Sequence, residues 1–99
     1  MPAYFIAQYV VTDPKLYREY QAGAGPTIAA AGGELVSFDV AAETVEGTPP
    51  GPQTVIVKFE SPEAAKAWYE SPAYQAVVGK RLAATKGFAI ISKAMNFGG

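Results

Sequence analysis

The sequence predicts an α+β domain in the order β-α-β-β-α-β, with the second helix split in two. Three observations carry this prediction. Four runs rich in aromatic and β-branched residues are separated by helical stretches. Asp13-Pro14 and Ser61-Pro62 each join a capping side chain to a proline suited to a first helical position. A third such pair, Ser71-Pro72, falls inside the second helical stretch and divides it.

The first strand covers Ala3 to Val11 and holds Tyr4, Phe5, Ile6, Tyr9, Val10 and Val11. Both parities are largely apolar, as in a central strand covered on both faces. Gln8 is the polar exception on the face of Tyr4, Ile6 and Val10. A helix follows from Pro14 towards Ala31, with Leu16, Tyr20, Ala24 and Thr27 or Ile28 as its stripe and Tyr17 beside it. Gly23, Gly25 and Pro26 weaken it, so a kink or interruption is expected near Pro26. Gly32-Gly33 stops it.

The second strand begins at Glu34 and continues through Leu35 to Val45, with Ser37, Asp39 and Ala41 opposite in parity to Val36, Phe38 and Val40, and Leu35 on the face of Ser37 and Asp39. A bend or bulge is expected near Ala41-Ala42. A Pro- and Gly-rich loop, 46–52, leads into the third strand, Gln53 to Phe59. Ala64, Ala65, Trp68 and Tyr69 belong to the second helix. Tyr74, Val77, Val78 and Leu82 belong to the short third helix. Lys86-Gly87 precedes the last strand, Phe88 to Lys93. This order is that of the ferredoxin-like split βαβ fold.

The 99 residues are expected to form a single domain, with a core over about 3–93 and a tail over 94–99. Met95 and Phe97 in that tail are candidates for ordering against a partner surface. Hydrophobic residues make up 49% of the chain, too many for disorder. The net charge of -1 and the lack of a basic run argue against nucleic-acid or electrostatic membrane binding. There is no Cys and no His, which removes disulfides, thiolate chemistry and the usual neutral-pH base. Asp39, Glu43 and Glu46 make no metal pattern, and no glycine-rich phosphate motif joins a strand to a helix. No cofactor or metal is predicted. No apolar run reaches membrane-spanning length, and the cytoplasm is the expected location. One sheet face takes the helices. The other is also apolar and needs a cover, for which a second copy of the chain is the simplest candidate.

Several segments resemble family 1330 of domains of unknown function, within the dimeric α+β barrel superfamily. They are Tyr4 to Ile6, Thr12-Asp13-Pro14 with Tyr17 and Tyr20, Gly32-Gly33, and Val55 to Phe59. The most specific are Phe59-Glu60-Ser61-Pro62-Glu63-Ala64-Ala65 and Trp68-Tyr69-Glu70-Ser71-Pro72-Ala73-Tyr74, with Arg81 beyond. The resemblance implies ferredoxin-like subunits whose sheets pair to enclose a barrel-like cavity. Related branches include cofactor-independent monooxygenases, muconolactone isomerases, haem-degrading enzymes and stress-response proteins. Such proteins often carry an Arg followed by glycines early in the second strand. Here that stretch reads Leu35-Val36-Ser37-Phe38-Asp39-Val40, with no cation.

The candidate catalytic residues are Asp39 and Arg81. Arg81 would either bind a carboxylate in bidentate geometry over a cleft, or serve as a salt-bridge or helix-terminal charge. Asp39 would either accept a proton in a cavity, or guard an edge strand against unwanted pairing. The candidate ligand-binding residues are Tyr4, Gln8, Ser37, Tyr69 and Tyr74. If the other parity of the first strand faces the cavity, Tyr9 replaces Tyr4 and Gln8. Ser71 reads as a helix cap, Trp68 as core, and Tyr17 and Tyr20 as packing of the first helix. The leading functional reading is a small homodimer of uncharacterised function, with a small-molecule cavity between sheet and helices. The alternatives are a cofactor-independent monooxygenase or isomerase acting on a small organic acid or aromatic compound, and a structural or stress-associated dimer.

Overall fold

The computed structural model describes residues 1–95. Its elements are β1 (Ala3–Val11), α1 (Pro14–Ala30), β2 (Glu34–Asp39), β3 (Gln53–Phe59), α2 (Pro62–Glu70), α3 (Pro72–Ala84) and β4 (Thr85–Lys93). The strands form one antiparallel sheet in the order β2-β3-β1-β4. The predicted α+β, ferredoxin-like architecture is therefore present, with β1 central and β2 at an edge. Phe97 of the tail lies outside the described residues, and Met95 is exposed.

The caps act as the sequence implies. Leu16 N donates to Asp13 Oδ1 at 3.1 Å, and Ala64 N donates to Ser61 Oγ at 3.0 Å. Ser71 closes α2 and opens α3 at once. Its hydroxyl donates to Trp68 O at 2.7 Å and accepts from Tyr74 N at 3.3 Å. Gly32 takes a φ of +75°, the left-handed turn that stops α1.

Pro26 does not interrupt α1, which is helical from Pro14 to Ala30. Its missing N–H leaves Ala22 O without a helical donor, and beside it Thr27 Oγ1 donates to Ala24 O at 2.7 Å. The second strand ends at Asp39, well short of Val45. Asp39 Oδ1 accepts from Ala41 N at 2.9 Å, so the carboxylate turns the chain out of the sheet. Asp39 is thus a strand terminator rather than a mid-strand residue. The irregularity of β2 lies between Leu35 and Ser37, not at Ala41-Ala42. That extra residue inverts the alternation. Leu35 pairs with Val57 and Phe38 with Val55, so both face the helices, while Ser37 and Asp39 face away. The expected grouping of Leu35 with Ser37 and Asp39 does not hold. The last strand begins at Thr85, directly after α3. Its extended backbone is anchored by Thr85 Oγ1 donating to Arg81 O at 2.7 Å.

The helices cover one sheet face. Along β1, Ala3, Phe5, Ala7 and Tyr9 point into this layer and are buried. Phe59, Trp68 and Tyr74 meet them from β3, α2 and α3. The opposite face carries Tyr4, Ile6, Gln8 and Val10 of β1, Ile56 of β3, and Phe88 and Ile90 of β4. Phe88 is 47% and Ile90 50% exposed, so the second face is an open apolar surface.

Candidate functional site

The interior between sheet and helices is built from tyrosines and one arginine. Tyr17 and Tyr20, one helical turn apart on α1, face the sheet. The Tyr9 and Tyr17 hydroxyls lie 2.7 Å apart, and Gln53 Nε2 donates to Tyr17 Oη at 2.8 Å. The Tyr20 and Tyr74 hydroxyls form a second pair, also at 2.7 Å. Burial pushes the phenol of each of these residues above its ordinary range. Hydrogen bonding opposes the upward shift at Tyr17 and Tyr74 and adds to it at Tyr9 and Tyr20. At neutral pH all are protonated: they donate and accept hydrogen bonds and supply no base.

Arg81, on the last turn of α3, reaches into this layer and is only 4% exposed. Its Cζ lies 5.9 Å from the Phe5 ring centroid and 5.8 Å from that of Tyr9. Its charge opposes the upward shift of all four buried phenols. Its Nε is buried without a hydrogen-bond partner. Among the described residues the ion pair is Lys80 with Glu19, at 3.8 Å, and it does not include Arg81.

Two cavities flank this centre. One, of about 340 Å³, lies between α1 and the β2–β3 side of the sheet. Tyr17, Tyr20, Trp68, Val55, Leu35 and Phe38 are among its walls. The bulge in β2 is what brings Leu35 and Phe38 to it together. The other, of about 320 Å³, lies between α3 and β4 and is walled by Arg81, Tyr69, Thr85, Gly87 and Ala89. Tyr9 lines both.

The structure divides the predicted site residues between two faces. Arg81, Tyr69 and Tyr74 stand on the helix side; Tyr74 is fully buried and bonded to Tyr20. Tyr4, Gln8, Ser37 and Asp39 stand on the open face, where Gln8 Nε2 donates to Thr54 Oγ1 at 3.4 Å. The sheet separates Asp39 from Arg81, so the monomer does not join them in one pocket. Tyr9, the alternative cavity residue of β1, joins the interior together with the α1 packing residues Tyr17 and Tyr20, and Gln53, to which the sequence assigns no role, joins them. For the three tyrosines the signal is the choice of Tyr over Phe at core positions, which places hydroxyls where phenylalanine would leave none.

The model of the family described as Domain of unknown function (DUF1330) matches residues 2–95. The chain belongs to this family. No curated protein matches its sequence. Among solved structures, the DUF1330 chain resembles RPA0582, a protein of unknown function from Rhodopseudomonas palustris. Identity is 19% and the TM-score 0.78, over 96% of this chain and 83% of that one. It also resembles SnoaB, a cofactor-independent oxygenase from Streptomyces nogalater, at 14% identity and a TM-score of 0.69. That match covers 96% of this chain and 94% of SnoaB. HapK from Hahella chejuensis gives 14% identity and a TM-score of 0.63, over 97% of this chain and 95% of HapK. At these identities the likeness is one of fold. No helix among the described residues of the DUF1330 chain is long and apolar enough to cross a membrane.

Proposed function

We propose that this chain is a one-domain subunit of a homodimer that binds a small, largely apolar aromatic molecule in the cleft between α1 and β2–β3. The observation that carries the reading is the cleft itself: about 340 Å³, walled mainly by aliphatic and aromatic side chains, with Tyr17 and Tyr20 as polar handles. Pockets for small molecules have this composition and scale. An interior filled by side chains, as a purely structural dimer requires, is harder to reconcile with an opening of this size.

Gly25 supplies the test. It borders the cleft, and a Cβ there would meet no atom within 4 Å. Gly25→Leu therefore places a side chain at the border of the cleft; because it precedes Pro26, whose ring crowds a preceding Cβ in a helix, the helical circular dichroism of the variant is measured alongside. Toluene added to the wild type should move the methyl resonances of Val55 and Val57 in NMR spectra. Gly25→Leu should remove that response while keeping the wild-type helical circular dichroism. Equal responses in both proteins would overturn the reading.

The dimer would pack the open sheet faces together, covering Ile6, Ile56, Phe88 and Ile90. Sedimentation should give twice the 10.4 kDa chain mass, and Ile90→Lys should return it to the monomer mass. A concentration-independent 10.4 kDa wild-type species would exclude the dimer. The cytoplasm is the proposed location of this dimer.

The second reading, a cofactor-independent monooxygenase or isomerase, draws on the fold shared with SnoaB and on the interior charge. Arg81 and the neutral phenols would stabilise an anionic form of the substrate. Asp39 has no place in that chemistry within one subunit, since it lies across the sheet and is engaged by Ala41 N. Substrate-dependent oxygen uptake that falls in Arg81→Gln and persists in Asp39→Asn would support it.

A further inference from the structure

We propose that the cavity between α3 and β4 is a carboxylate subsite, in which Arg81 anchors the acid group of a small organic monocarboxylate. This deepens the ligand-binding reading, on which it rests for the ligand's being a small organic molecule. It adds a second, chemically different opening for that ligand.

The void has a local cause. The inward positions of β4 are Thr85, Gly87, Ala89 and Ile91, in register with Val11, Tyr9, Ala7 and Phe5. Gly87 and Ala89 are too small to fill the layer beside α3. Gly87 is also required where it stands: a Cβ there would lie 2.1 Å from Gln8 O and 2.6 Å from Tyr9 Cα. The same two small residues form part of the wall that Arg81 shares.

The void borders a cation that lacks an anion. A guanidinium offers five N–H donors and stays protonated in proteins. Removing it from water is unfavourable unless it is paired. The Phe5 and Tyr9 ring faces attract the charge but accept no conventional N–H···O bond. The tyrosine hydroxyls are neutral and paired with one another, and Tyr74, which also interacts with the Arg81 side chain, brings no negative charge. Arg81 Nε is left without a partner. A carboxylate matches both the charge and the forked geometry of the missing partner. Tyr69, on the same wall, is a further candidate hydrogen-bonding group. A monocarboxylate suits a wall with a single buried cation better than a polyanion does.

The test is NMR titration of the full chain with propionate and with propionamide, following the Arg81 Nε–Hε resonance. Propionate should move that resonance and saturate, and propionamide should bind at least about ten-fold more weakly. Sodium chloride at equal ionic strength should not reproduce the shift. Arg81→Met should abolish propionate binding and raise the unfolding temperature, because an unpaired buried charge has been replaced by an apolar chain. If that variant does not fold, Arg81→Lys should fold, keep the charge and weaken propionate by losing the fork. Equal binding of acid and amide, or an unmoved Nε–Hε resonance at saturation, would overturn the proposal. So would an Arg81→Met protein that binds propionate normally. Propionate does not depend on the α1 cleft: a normal propionate response in Gly25→Leu, or where toluene fails to bind, separates this proposal from the wider reading.

Discussion

Raising the pH above about 10 should unfold the protein over a narrow range, because four buried phenols cannot ionise in place. Tyr9, Tyr17, Tyr20 and Tyr74 all have folded-state pKa values above the ordinary phenol value, with burial as the largest cause. The unfolded chain releases these protons near pH 10, while the folded chain keeps them. Their contribution is fully present below pH 10 and is lost as the pH rises towards the folded pKa values. Each tyrosine then removes about 1.4 kcal/mol per pH unit, so four together approach about 5 kcal/mol per unit. A domain of this size has roughly 5–15 kcal/mol to lose. Urea unfolding at successive pH values should show little contribution from these residues below pH 9 and a steep fall above 10. The phenolate absorbance should rise together with the loss of circular dichroism. Tyr20→Phe should lower the slope by about 1.4 kcal/mol per unit, because one proton fewer is held. Four phenols titrating near pH 10 in a protein that stays folded would refute the burial argument.

What the sequence made legible was set by local chemistry. Asp13, Ser61 and Ser71 each precede a proline, and each caps the helix that follows. These are bonds between residues three apart, which a linear reading can anticipate. The alternation of β1 placed Phe5 and Tyr9 together on one face, and they are buried together. Structure departs from sequence pattern where one residue changes the phase or where partners are distant in sequence. The extra residue between Leu35 and Ser37 leaves no mark in composition, yet it turns Phe38 inward and separates Leu35 from Asp39. In sequence Asp39 has the context of an acid inside a strand that continues to Val45, whereas β2 ends at Asp39. Its own hydrogen bond to Ala41 N is what ends the strand.

The candidate site was legible by residue type and not by placement. Arg81, Tyr69 and Tyr74 lie within the helix-covered layer, where the fold brings Arg81 and Tyr69 to one cavity wall. Tyr4, Gln8, Ser37 and Asp39 depend on a choice of sheet face that periodicity alone does not make. The decisive pairings, Tyr20 with Tyr74 and Tyr17 with Gln53, span 54 and 36 residues. Nothing local announces them. A core tyrosine shows only that an oxygen will need a partner.

Trp68→Ala should destabilise the protein by about 3–5 kcal/mol, enough to bring a domain of this size near its unfolding threshold. Trp68 is 2% exposed and joins every layer of the helix side. Its ring lies 5.0 Å from Phe5 of β1, 5.2 Å from Phe59 of β3 and 4.1 Å from Tyr74 of α3. Its Nε1 donates to Thr27 Oγ1 of α1 at 3.1 Å. Truncation therefore opens a void at the meeting point of three helices and two strands. Trp68→Phe keeps most of the apolar contact and loses the Thr27 bond, so its cost should be smaller, about 1–2 kcal/mol. Thr27→Val tests the bond from the other side: it strands a buried indole N–H, for about 1–3 kcal/mol. If Trp68→Phe and Thr27→Val each cost as expected and the double variant costs less than their sum, the bond is a coupled pair. Urea denaturation of the four proteins measures all of this. Trp68 also walls the cleft beneath α1, so its loss should alter ligand binding at the same time as stability. Gly25→Leu, which blocks the cleft without touching this aromatic centre, keeps those two consequences apart.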